Sequence, residues 1–157
     1  MAITLREINK DNFRQCIKLE TFDEQKTFVA TNVFSIAQSK VEPNMVPMAV
    51  YDGEEMVGFI MFGPDTEEDC YVVARLMIDK HHQGKGYGRA AMVEAIKHMR
   101  AAPDCREIAL SFEPENVAAD RLYESLGFRK TGEVIEGELV ARLRWENEGG
   151  KVGREKG

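Results

Sequence analysis

The segment Asp79-Lys80-His81-His82-Gln83-Gly84-Lys85-Gly86-Tyr87-Gly88-Arg89 joins an apolar run at residues 71–79 to a helix-forming run at residues 86–101. The first turn of a helix carries unpaired N–H groups and the positive end of the helix dipole, so such a junction attracts phosphate. Gly84, Gly86 and Gly88 remove the Cβ atoms that would hold a pyrophosphate off the backbone. Lys85 and Arg89 add positive charge at the same place. A flexible turn with solvated cations would use the same residue types, but three glycines and two cations at a strand–helix junction favour an anion cradle. The loop does not follow G-x-x-x-x-G-K-[ST], which excludes a nucleotide P-loop. Gly86-x-Gly88-x-x-Ala91 does satisfy the dinucleotide fingerprint G-x-G-x-x-A, with Glu113 placed to pose as its ribose acid. However, six residues (80–85) separate the strand from Gly86, where a dinucleotide turn is tight, and the chain before them reads as a hairpin rather than βαβ.

Outward from the loop, residues 3–8 alternate as a first strand. Asp11 is placed to cap a helix bearing Phe13, Cys16, Ile17 and Leu19, and apolar spacing predicts a second helix over about 27–39. Pro43 and Pro47 rule out its continuation. Runs at 48–51 and 56–62, joined by Asp52-Gly53-Glu54-Glu55, predict a hairpin. Residues 57–62 lack polar alternation, as in a strand covered on both faces. Downstream of a polar loop at 64–69 and the strand at 71–79, the helix over 86–101 places Met92, Ala95, Ile96 and Met99 on one side. A strand at 107–112, a helix at 116–126 stopped by Gly127, and strands near 128–134 and 138–145 complete the core. The order β-α-α-β-β-β-α-β-α-β-β predicts one α/β domain over residues 1–146, with a mixed, largely antiparallel sheet flanked by helices. Residues 147–157, rich in glycine and charge, read as a flexible tail.

Composition narrows the function. A formal net charge of −6 disfavours a nucleic-acid partner. No apolar run is long enough for a membrane span, and the N-terminus lacks a signal peptide's pattern, so a cytoplasmic protein is expected. Cys16, Cys70 and Cys105 are scattered and odd in number, against a disulfide framework or a zinc site, and no metal is expected.

Gln83-Gly84-Lys85-Gly86-Tyr87-Gly88 fits the Q/R-x-x-G-x-G/A motif of the GNAT superfamily of acetyl-CoA-dependent N-acetyltransferases. The segment Asn116-Val117-Ala118-Ala119-Asp120-Arg121-Leu122-Tyr123-Glu124-Ser125-Leu126-Gly127-Phe128 follows that family's second pattern, N-x-x-A-x-x-L-Y-x-x-x-G-F. The spacing of the motifs and the order of the strands also fit, so the chain resembles this superfamily over residues 3–145. The resemblance implies a GNAT-like fold and acetyl-CoA as co-substrate. It implies that Leu76, Met77 and Ile78 bind pantetheine through backbone groups, and that Gln83, Gly84, Lys85, Gly86, Tyr87, Gly88 and Arg89 hold the pyrophosphate. Asn116 would reach the pantetheine arm, besides any role as a helix cap, and Tyr123 would be the general acid beside the thioester sulfur. Residues 24–37 and 73–79 look similar to bacterial polyamine acetyltransferases that modify spermidine and spermine.

An alkyl ammonium has a pKa near ~10.4, so about one molecule in a thousand is neutral at pH ~7.4, a deficit of roughly 4 kcal/mol. The site must therefore remove a proton. Glu113, just after a strand, is a candidate base, while Glu20, Asp23 and Glu24 are candidates for binding a cationic acceptor. Direct attack on the acetyl carbon is expected. A route through Cys70 or Cys105 would need an activated thiolate and a paired base, and His81 and His82 read as solvent-exposed residues at the strand's end. The sequence leaves open other amine acceptors (an antibiotic, an amino acid, a protein N-terminus or lysine), a non-catalytic acyl-CoA-binding module, and a homodimer.

Overall fold

A computed structural model describes residues 1–145, so the expected tail at 147–157 lies outside the described residues. Among the described residues seven strands, β1 (Ile3–Glu7), β2 (Val46–Asp52), β3 (Glu55–Asp65), β4 (Cys70–Ile78), β5 (Glu107–Phe112), β6 (Arg129–Ile135) and β7 (Glu138–Arg144), form one sheet in the order β1-β2-β3-β4-β5-β7-β6. Only β4 and β5 run parallel; the other neighbours are antiparallel, which is the mixed sheet expected. Residues 56–63 of β3 are buried throughout because both sheet faces are covered. One face carries Val57, Ile60 and Val73 against Ala91, Met92 and Ala95, and the other carries Phe59, Met61 and Met77 with Cys16.

Four helices of the described residues flank the sheet: α1 (Phe13–Lys18), α2 (Asn32–Val41), α3 (Tyr87–Arg100) and α4 (Val117–Ser125). Two helix starts differ from expectation. Asp11 does not cap α1; Asn12 is its N-cap residue, while Asn9 Oδ1 accepts the Asp11 and Asn12 N–H groups at 2.8 and 3.0 Å. Helix α2 begins at Asn32 rather than near residue 27, because Thr31 adopts an extended backbone and its hydroxyl accepts the Phe34 N–H at 3.1 Å. Phe28 and Val29 thus lie in a connecting segment, after a 3₁₀ turn at Asp23–Gln25. Pro47 sits inside β2 but beyond the last β1 pair, Glu7↔Met48, where the strand has one neighbour and tolerates a missing N–H.

The break that makes room for a site lies between β4 and β5. Their parallel ladder is limited to Tyr71↔Ile108 and Val72↔Ala109. Just past it the β3–β4 register jumps, with Phe62 opposite Val73 and Met61 opposite Arg75, so Ala74 is an extra residue in β4. A bulge bends a strand and strengthens its twist. Here it comes where β4 leaves β5 and opens a cleft between the strands' carboxyl ends.

Candidate active site

The cleft has a volume of about 950 Å³ and is lined by residues 72–78 of β4 on one side and 109–112 of β5 on the other. Leu76, Met77 and Ile78 line it, beyond the end of the β5 ladder. Backbone groups on that edge of β4 are open to a ligand that adds like a strand. Gln83, Gly84, Gly86, Tyr87 and Gly88 close one end, and Asn116 and Tyr123 come from α4.

Gly84 and Gly86 have φ of +82° and +84°, the left-handed region where a side chain would be strained. Gly86 is the N-cap residue of α3, and the first hydrogen bond of the helix runs from the Ala90 N–H to the Gly86 carbonyl at 3.1 Å. The N–H groups of Tyr87, Gly88 and Arg89 therefore have no partner within the helix and are available to an anion. The Tyr87 hydroxyl donates to Asp52 Oδ2 at 2.6 Å, so the side chain anchors the helix start to β2 and leaves the backbone to the ligand. Lys85 and Arg89 are exposed and are not among the lining residues. His82 lines the cleft half-buried, edge-on to Tyr87 and with Nε2 3.6 Å from Glu55, whereas His81 is exposed.

The Tyr123 ring packs against Phe112 and Phe128 at centroid distances of 5.7 and 5.9 Å. Burial pushes its pKa up to about 12, so the hydroxyl keeps its proton at neutral pH. Asn116 Oδ1 caps α4 by accepting the Ala119 N–H at 3.2 Å, which leaves its NH₂ group to donate elsewhere.

The carboxylates are distributed differently from the loop residues. Glu20, Asp23 and Glu24 are not among the lining residues; Glu20 pairs with Lys80 at 2.8 Å and Lys26 at 3.3 Å. The acids that do line the cleft are Asp65, Glu68, Glu136 and Glu138. Glu113, half-buried beyond the last β5–β7 pair, is not a lining residue. Its pKa is raised by desolvation and by the neighbouring Glu138 and Glu115. Glu138 in turn accepts a 2.7 Å hydrogen bond from the Ser111 hydroxyl, and both residues line the cleft. Ser111 was findable as the one polar side chain inside the run Ile108-Ala109-Leu110-Ser111-Phe112. Glu138, like Gln25 and Phe28 on the opposite lining, carries no local pattern that marks it. Cys16, Cys70 and Cys105 are free and buried, with burial raising all three thiol pKa values. Among the described residues no three His, Cys, Asp or Glu side chains converge on a metal position, and no helix is long and apolar enough to cross a membrane.

Solved structures that share this fold include acetyltransferases bound to coenzyme A. The chain superposes on the PaiA N-acetyltransferase of Thermoplasma acidophilum, solved with coenzyme A, with a TM-score of 0.72 and 15% identity over 92% of this chain and 100% of that one. It superposes on the spermidine N-acetyltransferase of Vibrio cholerae, solved with CoA and spermine, with a TM-score of 0.70 and 19% identity over 89% and 92% of the two chains. The protein belongs to the acetyltransferase (GNAT) family, whose sequence model matches residues 3–128. Among curated relatives, the probable spermine N(1)-acetyltransferase of Bacillus subtilis subsp. natto is 31% identical over 89% of this chain and 97% of its own length. The spermine/spermidine N(1)-acetyltransferase of Bacillus subtilis strain 168 is 29% identical over the same shares.

Proposed function

We propose that the protein transfers an acetyl group from acetyl-CoA to a primary amine of a polyamine such as spermidine or spermine, by direct attack. The residues present fit the co-substrate: unpartnered N–H groups at the start of α3 suit its pyrophosphate, and the open edge of β4 suits its pantetheine. Bound acetyl-CoA would supply an activated acetyl thioester with a thiol leaving group. Leu76, Met77 and Ile78 would hold the arm, the loop from Gln83 to Arg89 the phosphates, and Asn116 the arm again through its free NH₂. Tyr123, protonated and partly buried where it lines the cleft, is suited to give its proton to the departing sulfur. Glu138, with Glu113 behind it, is the carboxylate pair best placed to take the proton from the ammonium. We assign attraction of the polycation to Asp65 and Glu136 rather than to Glu20, whose charge Lys80 and Lys26 already offset, or to Glu68, which pairs with Arg142 at 3.2 Å. Buried thiols with raised pKa values are poor nucleophiles, which favours direct transfer over an acyl-enzyme.

The observation that carries the reading is the splayed β4–β5 edge ending in a glycine cradle, with a proton-bearing tyrosine in the same cleft. The polyamine acceptor rests on the two relatives whose lengths the chain nearly spans. Thiol release from acetyl-CoA, measured across polyamines, amino acids, aminoglycosides and peptides, tests it. Polyamines should give the highest kcat/KM; faster turnover of a neutral amine or a peptide would remove the polyamine assignment.

A further inference from the structure

We propose that Gln25 is a positioning residue for the co-substrate, acting through Gln83 and tying segment 21–30 of the cleft lining to the pyrophosphate loop. The inference rests on the proposed acetyl-CoA site. Gln25 and Gln83 exchange two hydrogen bonds across 58 residues of sequence, Gln25 Nε2 to Gln83 Oε1 at 3.1 Å and Gln83 Nε2 to Gln25 Oε1 at 2.9 Å. Backbone partners fix the sense of both amides. The Phe22 N–H donates to Gln25 Oε1 at 3.1 Å, so an oxygen must stand there; Gln83 Nε2 donates to the Ile78 carbonyl at 3.0 Å, so a nitrogen must stand there. With the sense fixed, the two amides meet donor to acceptor twice.

The position of this pair gives it a consequence. Ile78 ends β4, and Gln83 immediately precedes the two left-handed glycines, so the Gln83 amide sets where the loop leaves the strand. Gln25 belongs to the segment 21–30, most of which lines the cleft. A second tie lies at the other end of the loop: the Glu20 N–H donates to Asp79 Oδ1 at 3.0 Å, and the Lys80 N–H donates to the Glu20 carbonyl at 2.8 Å. Asp79 is buried, so that tie persists without Gln25. Removing the Gln25 amide frees the glycine half of the loop while residues 79 and 80 stay in place. The phosphate-facing N–H groups then lose their preorganisation, and so does segment 21–30.

Calorimetric titration of CoA tests the proposal on wild type, Gln25→Ala, Gln83→Ala and the double variant. Each single variant should bind CoA about three- to tenfold more weakly, the loss of one or two net hydrogen bonds. The double variant should be no weaker than the weaker single, because both remove one link. In steady state the KM of Gln25→Ala for acetyl-CoA should rise by a similar factor, with kcat within about twofold. Gln25→Glu, which keeps the acceptor for the Phe22 N–H but sets a carboxylate oxygen against Gln83 Oε1, should bind CoA at least as weakly as Gln25→Ala. Wild-type CoA affinity in Gln25→Ala, or fully additive losses in the double variant, would overturn the proposal while leaving the acetyl-CoA site intact. No CoA binding by the wild type would sink both.

Discussion

Burial of the Tyr123 ring between Phe112 and Phe128 keeps its hydroxyl protonated wherever the acceptor amine can work. The folded-state pKa, about 12, lies above the ordinary value of 10.0, so the protonated form is favoured on folding. Any stability that depends on it is complete below pH 10 and is lost as pH rises through about 12. Deprotonation of this tyrosine should therefore cause no fall in kcat up to about pH 10. Tyr123→Phe retains the ring contacts and deletes only the proton donor. Its kcat should drop by about 10²–10⁴-fold with acetyl-CoA affinity nearly unchanged. Unaltered kcat under conditions where chemistry limits the rate would assign Tyr123 to packing alone.

Loop and helix meet at Gly88, and here two effects of one substitution can be separated. A Cβ on Gly88 would lie 3.8 Å from Ile78 Cγ1 and Leu122 Cδ2, ordinary contacts, and an acidic residue in a helix's first turn favours the helix. Gly88→Glu should therefore hold its melting temperature while placing a negative charge at the proposed phosphate position. CoA affinity should fall on the order of tenfold or more; equal affinity would move the pyrophosphate elsewhere. A substitution at Gly86 would not discriminate, because its φ of +84° strains any side chain. In β3 the opposite case holds: a Cβ on Gly63 would come 2.0 Å from the Asn44 carbonyl oxygen, a backbone atom with little freedom to yield. Gly63→Ala should cost about 1–3 kcal/mol of stability, read as a lowered melting temperature; a wild-type value would show that the 42–45 turn shifts freely.

At the scale of the whole molecule, the strands, their order and the glycine cradle were legible because each has a local signature: alternation, a Gly-bearing turn, or a strand–helix junction. Segment 21–30 was not. Phe28 and Val29 have helical spacing with Val33 and Ile36, and only the Thr31 cap, set by a hydrogen bond to the Phe34 N–H, ends the helix before them. The acids lining the cleft were equally hidden. Asp65 and Glu68 follow one another closely at the end of β3, but Glu138 lies about 70 residues on, and β7 pairing with β5 brings it beside Ser111, a long-range register that no local pattern encodes. Glu20, Asp23 and Glu24 stood out because they are close in sequence, yet lysines take up the first of them.

Catalysis by the whole chain is tested most directly by following a labelled acetyl group. Wild-type protein is incubated with acetyl-CoA carrying a ¹³C-acetyl label and with spermidine or spermine, and polyamine and protein are analysed by mass spectrometry during turnover. The account predicts a polyamine one labelled acetyl group heavier, free CoA in equal amount, and no labelled protein at any time. Label accumulating on Cys70 or Cys105, or CoA released with the polyamine unchanged, would contradict direct transfer to a polyamine amine.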